Sequence, residues 1–244
     1  MQNRFLHTGH IGDIIAFLPT MRALGGGELV IKNHNDSWAP MRGFRYESIK
    51  PLLETLPYVT SVEYNDEPEG ITHDNTNWRE PKGDYLGWRE HTLLSDVQAE
   101  YWKVKPDYRP WIKVEPDPST AGRVICNRTT RYLNFNFPWR RILKRLGERA
   151  LFVGTDLEYA TFVADTGFAI QPHHTENLLE VARAIKGSDM IVCEQSCPWW
   201  IAFAMRHPCV RSTSLYGADG IYSYPGALYP PRSGYIDMKV FDKK

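Results

Sequence analysis

Apolar and polar positions alternate along this chain in two different periods, and the second half shows both most plainly. Short apolar runs recur at Arg123-Val124-Ile125-Cys126-Asn127, Ala150-Leu151-Phe152-Val153-Gly154 and Asp189-Met190-Ile191-Val192-Cys193, each the length of a strand buried on both faces. Between them the period lengthens to that of a helix. Pro138 to Leu146 carries Trp139, Ile142, Leu143 and Leu146 on one face, and Glu176 to Ile185 carries Leu178, Leu179, Val181, Ala182 and Ile185. Strand, helix, strand, helix, strand predicts a parallel sheet with crossover helices. The first half opens the same way. A strand through Phe5 and Leu6 leads into the loop His7-Thr8-Gly9-His10-Ile11-Gly12, and a helix is expected from about Asp13 to Leu24, stopped by Gly25-Gly26-Gly27. Glu28 to Lys32 reads as a second strand and Ile49 to Leu56 as a helix ending before Pro57. Glu67 to Trp88 is polar and without period, which predicts a long functional loop.

The stretch from Val114 to Gly122 has linker composition, so two α/β halves are expected to meet near residue 118. The expected organisation is a first domain over 1–118, a second over 119–225, and a tail over 226–244 that packs back on the first domain. At 244 residues, with 42% hydrophobic and 24% charged side chains, the chain can bury a core in each half. No run of about eighteen apolar residues is present, and the first residues lack the apolar stretch of a secretory signal, so a cytoplasmic protein is expected. Cys126, Cys193, Cys197 and Cys209 form no CxxC pair and read as reduced core thiols. His7 with His10, and His173 with His174, complete no metal-ligand set, and neither a GxSxG elbow nor a P-loop is present.

Lys+Arg and Asp+Glu number 29 each, so the chain lacks the basic excess of a sequence-independent nucleic-acid binder. The balance hides unlike parts. Residues 1–118 carry 13 basic and 18 acidic side chains, whereas eight basic residues and one acidic lie between Arg123 and Arg149. That local excess attracts anions, although part of it is also the solvated face expected of the Pro138–Leu146 helix.

Three strand-to-helix turns carry residues suited to chemistry. In Gly9-His10-Ile11-Gly12-Asp13 the glycines let a ligand approach main-chain amides, and Asp13 is either a base facing a crevice or a helix cap. In Asn127-Arg128-Thr129-Thr130-Arg131-Tyr132 two guanidinium groups and two hydroxyls suit the oxygens of a diphosphate, the alternative being a solvated turn. In Cys193-Glu194-Gln195-Ser196-Cys197-Pro198 the hydroxyl of Ser196 and the amide of Gln195 suit an anion at a helix start, or Ser196 caps that helix. Glu158, in Gly154-Thr155-Asp156-Leu157-Glu158, either meets a sugar hydroxyl or favours a helix N-terminus.

Taken in order, these segments resemble a known family. GHIGDIIAFLPTMRAL, NRTTRY followed by FPWRRILKRL, FVGTDLEYATF, and ENLLEVARAIKGSDMIVCEQSCPWWIAFAMRHP are similar to the successive signatures of the heptosyltransferase-like glycosyltransferases. Residues 43–118 match nothing in the family. The resemblance implies a GT-B architecture, with two Rossmann-like halves facing across a cleft, the first binding an acceptor and the second a nucleotide sugar. It implies inverting transfer with no metal and no cofactor beyond the nucleotide-diphosphate sugar. Asp13 matches the general base, with His7, Gly9, His10 and Gly12 in the acceptor-side cleft loop. Asn127, Arg128, Thr129, Thr130 and Arg131 fall in the diphosphate loop, Glu158 at a ribose contact, and Gln195-Ser196 at the diphosphate end of the last motif. That motif departs from the family, which has Asp, Ser/Thr, Gly and then His where this chain has Gln195, Ser196, Cys197 and Trp200. The acceptor expected is a glycan, a lipid-linked sugar or a modified nucleobase. Two other readings stay open: sugar transfer onto a hydroxymethylated base in DNA, and a non-catalytic nucleotide or sugar-phosphate binding protein.

Overall fold

The computed structural model describes residues 2–33, 40–78, 93–130, 133–213, 224–230, 233 and 235–242. Arg131, Tyr132 and most of the second half of the expected Glu67–Trp88 loop lie outside the described residues. The chain divides into two compact units, one essentially of residues up to Val114 and the other of residues from Glu115, a break inside the linker-like stretch.

In the first unit, β1 (Arg4–Thr8), α1 (Ile11–Ala23), β2 (Gly27–Lys32), α2 (Phe44–Glu54), β3 (Val59–Tyr64), β4 (His73–Asp74) and α3 (Leu94–Tyr101) follow in sequence. The four strands form a parallel sheet in the order β3-β2-β1-β4. Several elements differ from expectation, β3 and α3 among them, neither of which the sequence pattern predicts. α1 begins at Ile11, two residues before Asp13, and α2 starts at Phe44 and takes in Pro51. β4 lies within the segment expected to be without elements, because Phe5 and Leu6 of β1 pair with His73 and Asp74.

The second unit contains β5 (Val124–Asn127), α4 (Trp139–Leu146), β6 (Ala150–Phe152), α5 (Asp156–Thr166), β7 (Gln171–Pro172), α6 (Leu178–Gly187), β8 (Met190–Cys193), α7 (Cys197–Met205), β9 (Cys209–Arg211) and β10 (Ala227–Leu228). Its six parallel strands run β10-β9-β8-β5-β6-β7. The apolar stripe predicted for α4 is buried, with Ile142, Leu143 and Leu146 in one core cluster with Val124, Cys126 and Phe152. Opposite that stripe, Arg140, Arg141, Lys144 and Arg145 are exposed, so half of the basic run between Arg123 and Arg149 is the solvated face of a helix. In the tail, Ile236 and Phe241 enter the core of the second unit, and Arg149 donates to the Phe241 carbonyl at 2.8 Å. All four cysteines are free, three of them buried and Cys197 half-buried. Among the described residues no helix is long and apolar enough to cross a membrane.

Both sheets are parallel, and in both the direction of winding reverses beside the first strand. Such reversals leave a crevice at the carboxyl ends of the two strands involved. The reversal falls between β1 and β4 in the first unit and between β5 and β8 in the second.

Candidate functional site

The crevice of the second unit collects two of the motifs. Asn127, the last residue of β5, is buried, and its side chain ties three strand ends together. Its Nδ2 donates to the carbonyl of Val153, past β6, at 2.9 Å, and its Oδ1 accepts the Ser196 hydroxyl, past β8, at 2.8 Å. Ser196 occupies the N-cap position of α7, but its side chain makes no capping bond; the hydroxyl points to Asn127 instead. The choice between cap and ligand thus has a third answer, a brace across the crevice. Gln195 beside it is buried.

Arg128 does not extend into solvent. Only 5% of its side chain is exposed, Nη1 bonds to Asp165 of α5, and Nε lies 3.5 Å from Glu194 Oε1. Burial pushes the Glu194 carboxyl up to about 8, although the Arg128 charge, the Trp139 indole and the Asn134 main chain each act to lower it. Thr129 is buried, Thr130 is exposed, and Arg131 lies outside the described residues. Glu158 forms a capping box with Thr155: its Oε2 accepts the Thr155 main-chain N–H at 2.9 Å, while the Thr155 hydroxyl accepts the Glu158 N–H at 3.2 Å. Its helix-terminal reading is therefore the one the geometry displays.

In the first unit the loop after β1 folds back on the start of α1. α1 begins at Ile11 with His10 at its N-cap, so Asp13 is the third residue of the helix, and its Oδ2 accepts the His10 main-chain N–H at 3.0 Å as the carboxylate half of a capping box. Asp13 is 7% exposed and follows the end of β1, the strand beside which the sheet reverses. Gly9 has φ +158°, and a Cβ there would come within 3.1 Å of both Asp13 Oδ2 and His7 Cε1. Gly12 lies in the first turn of α1. Gly9→Ala is expected to destabilise the chain by about 1–3 kcal/mol in urea unfolding through this crowding; an unchanged midpoint would show that the loop yields freely.

Behind the loop lies a polar network. Gln98 of α3 donates from Nε2 to the Asp13 carbonyl at 3.0 Å, which leaves its Oε1 to accept Asn75 Nδ2 at 2.7 Å and to face His7 Nε2 at 3.0 Å. His7 is fully buried and, with Gln98 so oriented, carries its proton on Nε2. Trp102 closes the network by donating to Asn75 Oδ1 at 2.9 Å. Asn75 directly follows β4, so this network spans the β1/β4 reversal just as Asn127 spans β5/β8. His7 and Thr8, expected to open the loop, are the last residues of β1, so His7 is a structural member of the strand end, and His10 contributes its main-chain N–H.

Gln98, Asn75, Glu194 and Asp165 carry these arrangements without having been singled out by motif. The available signal for α3 was Leu93, Leu94, Val97 and Tyr101 at helical spacing, but Ser95 and Gln98 are buried with them and interrupt the apolar stripe.

No protein-family model matches the chain, and no curated protein matches it in sequence. Solved structures do match it in three dimensions. E. coli heptosyltransferase WaaC with ADP aligns with 94% of this chain and 92% of its own, at a TM-score of 0.61 and 13% identity. The chain has the heptosyltransferase fold. The E. coli ADP-heptose lps heptosyltransferase II shares it at a TM-score of 0.63 and 12% identity, over 94% of this chain and 90% of that one. A glycosyl transferase family 9 protein from Veillonella parvula does so at 0.60 and 13%, over 93% and 85%. This is a mixed α/β fold of the GT-B type, as the motif order implies.

Proposed function

We propose that the protein is a glycosyltransferase that moves a sugar from a nucleoside-diphosphate donor to an acceptor hydroxyl, with inversion at the anomeric carbon. The observation that carries this reading is the placement of the polar motifs within a heptosyltransferase fold: each unit has one crevice at a sheet reversal, and the motif residues cluster there. The first unit is assigned the acceptor and the second the donor.

In this reading Asp13 takes the proton of the acceptor hydroxyl as its oxygen bonds to the anomeric carbon. The bond between that carbon and the diphosphate oxygen breaks on the opposite face, and the diphosphate leaves with the electron pair. Thr129, Thr130 and Arg131, with the first main-chain amides of α7, offer donors to that developing charge. Asn127 and Ser196 serve by fixing the two loops that present those donors. Glu158 is assigned to a ribose hydroxyl through the oxygen-rich start of α5, a role compatible with its capping bond because a carboxylate accepts several hydrogen bonds.

Because cationic side chains and helix-terminal amides carry the leaving charge, transfer is assigned as metal-independent. The test is release of nucleoside diphosphate from a panel of ADP-, UDP-, GDP- and CDP-sugars with glycan and lipid-linked acceptors, with and without excess EDTA. Rates within about twofold of each other in the two conditions are expected; activity lost in EDTA and restored by a divalent cation would overturn the metal-independent step.

A further inference from the structure

Glu194 directly follows β8 and is fully buried, though it takes no part in any step above. Burying a carboxylate is costly unless nearby groups compensate, so its retention behind the crevice calls for a reason. The groups facing it come from several elements: Arg128 from the loop after β5, Trp139 from α4, and the main chain of Asn134 ahead of α4. Cys193 precedes it on its own strand, Arg211 at the end of β9 stacks on Trp199 at 4.1 Å, and Asp165 of α5 holds the other end of the Arg128 guanidinium. Arg128 is thus gripped between one buried carboxyl and one that is 45% exposed.

We propose that Glu194 is a positioning residue for the donor diphosphate: from behind the 127–130 loop it seats the Arg128 guanidinium and sets the charge which that loop presents. This rests on the donor site assigned above. With Glu194 protonated, Arg128 and Asp165 balance. With Glu194 ionised, the trio carries one net negative charge beside the place where a diphosphate must sit, and binding weakens. Burial holds the proton on Glu194 up to about pH 8, so the change falls in an accessible range. Linkage fixes the sign: an anion that binds the protonated form better takes up a fraction of a proton near pH 8, and its affinity declines as the pH rises.

The experiment is calorimetric titration of the full chain with ADP, UDP, GDP and CDP between pH 7 and 9.5. The nucleotide that binds wild type is expected to lose about tenfold in affinity across that range, the equivalent of one pKa unit of coupling. Glu194→Gln, which mimics the protonated carboxyl, is expected to hold its neutral-pH affinity throughout. Asp165→Asn, at the exposed carboxylate, is expected to bind a few fold more tightly than wild type and to keep the pH slope. A flat wild-type profile, or the same slope in Glu194→Gln, would overturn the inference while leaving the donor site standing. If Glu194→Gln does not fold by circular dichroism, loss of affinity or slope in Asp165→Asn overturns it equally. Failure of wild type to bind any of the nucleotides at any pH would instead remove the donor site, and this inference with it.

Discussion

Asp13→Asn is expected to lower kcat for sugar transfer by about 10²- to 10⁴-fold, the range of a lost general base. Nucleotide affinity should stay within about twofold of wild type, because the substitution lies in the other unit from the assigned donor residues. The choice of Asn separates chemistry from architecture. Asp13 accepts the His10 main-chain N–H through one oxygen, and the Asn carbonyl oxygen can accept the same bond. If the carboxylate served only to steady the first turn of α1, Asn would cost no more than about 1 kcal/mol of stability and would leave kcat nearly intact. A steady-state comparison with thermal melts of the same samples checks both arms. Undiminished turnover would remove Asp13 from the mechanism.

Asn127→Ala is expected to have the second largest effect, on donor binding and stability together. The amide reaches from β5 to the ends of both β6 and β8, through its bonds to the Val153 carbonyl and the Ser196 hydroxyl. Truncation leaves a buried carbonyl without this donor and releases a hydroxyl whose other contact is the Glu194 carbonyl at 3.3 Å. A cost of about 2–4 kcal/mol in unfolding free energy follows from losing the two buried bonds. Loosening both loops by a fraction of an ångström should weaken nucleoside-diphosphate binding by about 10- to 100-fold, since charge recognition at fixed positions tolerates little displacement. Urea unfolding and calorimetry on the same variant measure the two losses separately. Intact affinity in a destabilised variant would show that the brace supports the sheet and not the site.

The parts of the fold that were legible in the sequence are those whose burial is written in apolar residues alone. β5, β6 and β8 are buried on both faces and stand out as unbroken apolar runs, and α4 shows a clean stripe because its other face is four basic residues. β4 and β10 escape detection for a simple reason, two residues being too short to carry a period. α3 escapes for a chemical one. Its inward face includes two buried polar residues, Ser95 and Gln98, and Gln98 is kept inside by hydrogen bonds to Asp13, Asn75 and His7 that no local pattern announces. The motif loops were legible as positions at strand ends, but their internal geometry was not. That Asp13 caps α1 from its third residue is visible only once α1 is seen to start at Ile11, and Arg128 reads as a solvent-facing cation until Asp165, 37 residues away, is seen to hold it. Ser196 offered two local uses, and the structure gives its hydroxyl to a residue 69 positions distant. Partners at such separations are products of the sheet order, which a single sequence does not specify.

The central claim is that the second unit holds a nucleoside diphosphate at the β5/β8 crevice and that the protein turns over its sugar ester. It is tested most directly by following nucleoside diphosphate released from the nucleotide-sugar panel by wild type, Asp13→Asn and Asn127→Ala side by side. The prediction is turnover of at least one donor by wild type, a lowered kcat with unchanged donor KM in Asp13→Asn, and a raised donor KM in Asn127→Ala. Wild-type protein that neither binds nor cleaves any donor with any of the acceptors, or variants that all turn over alike, would contradict it.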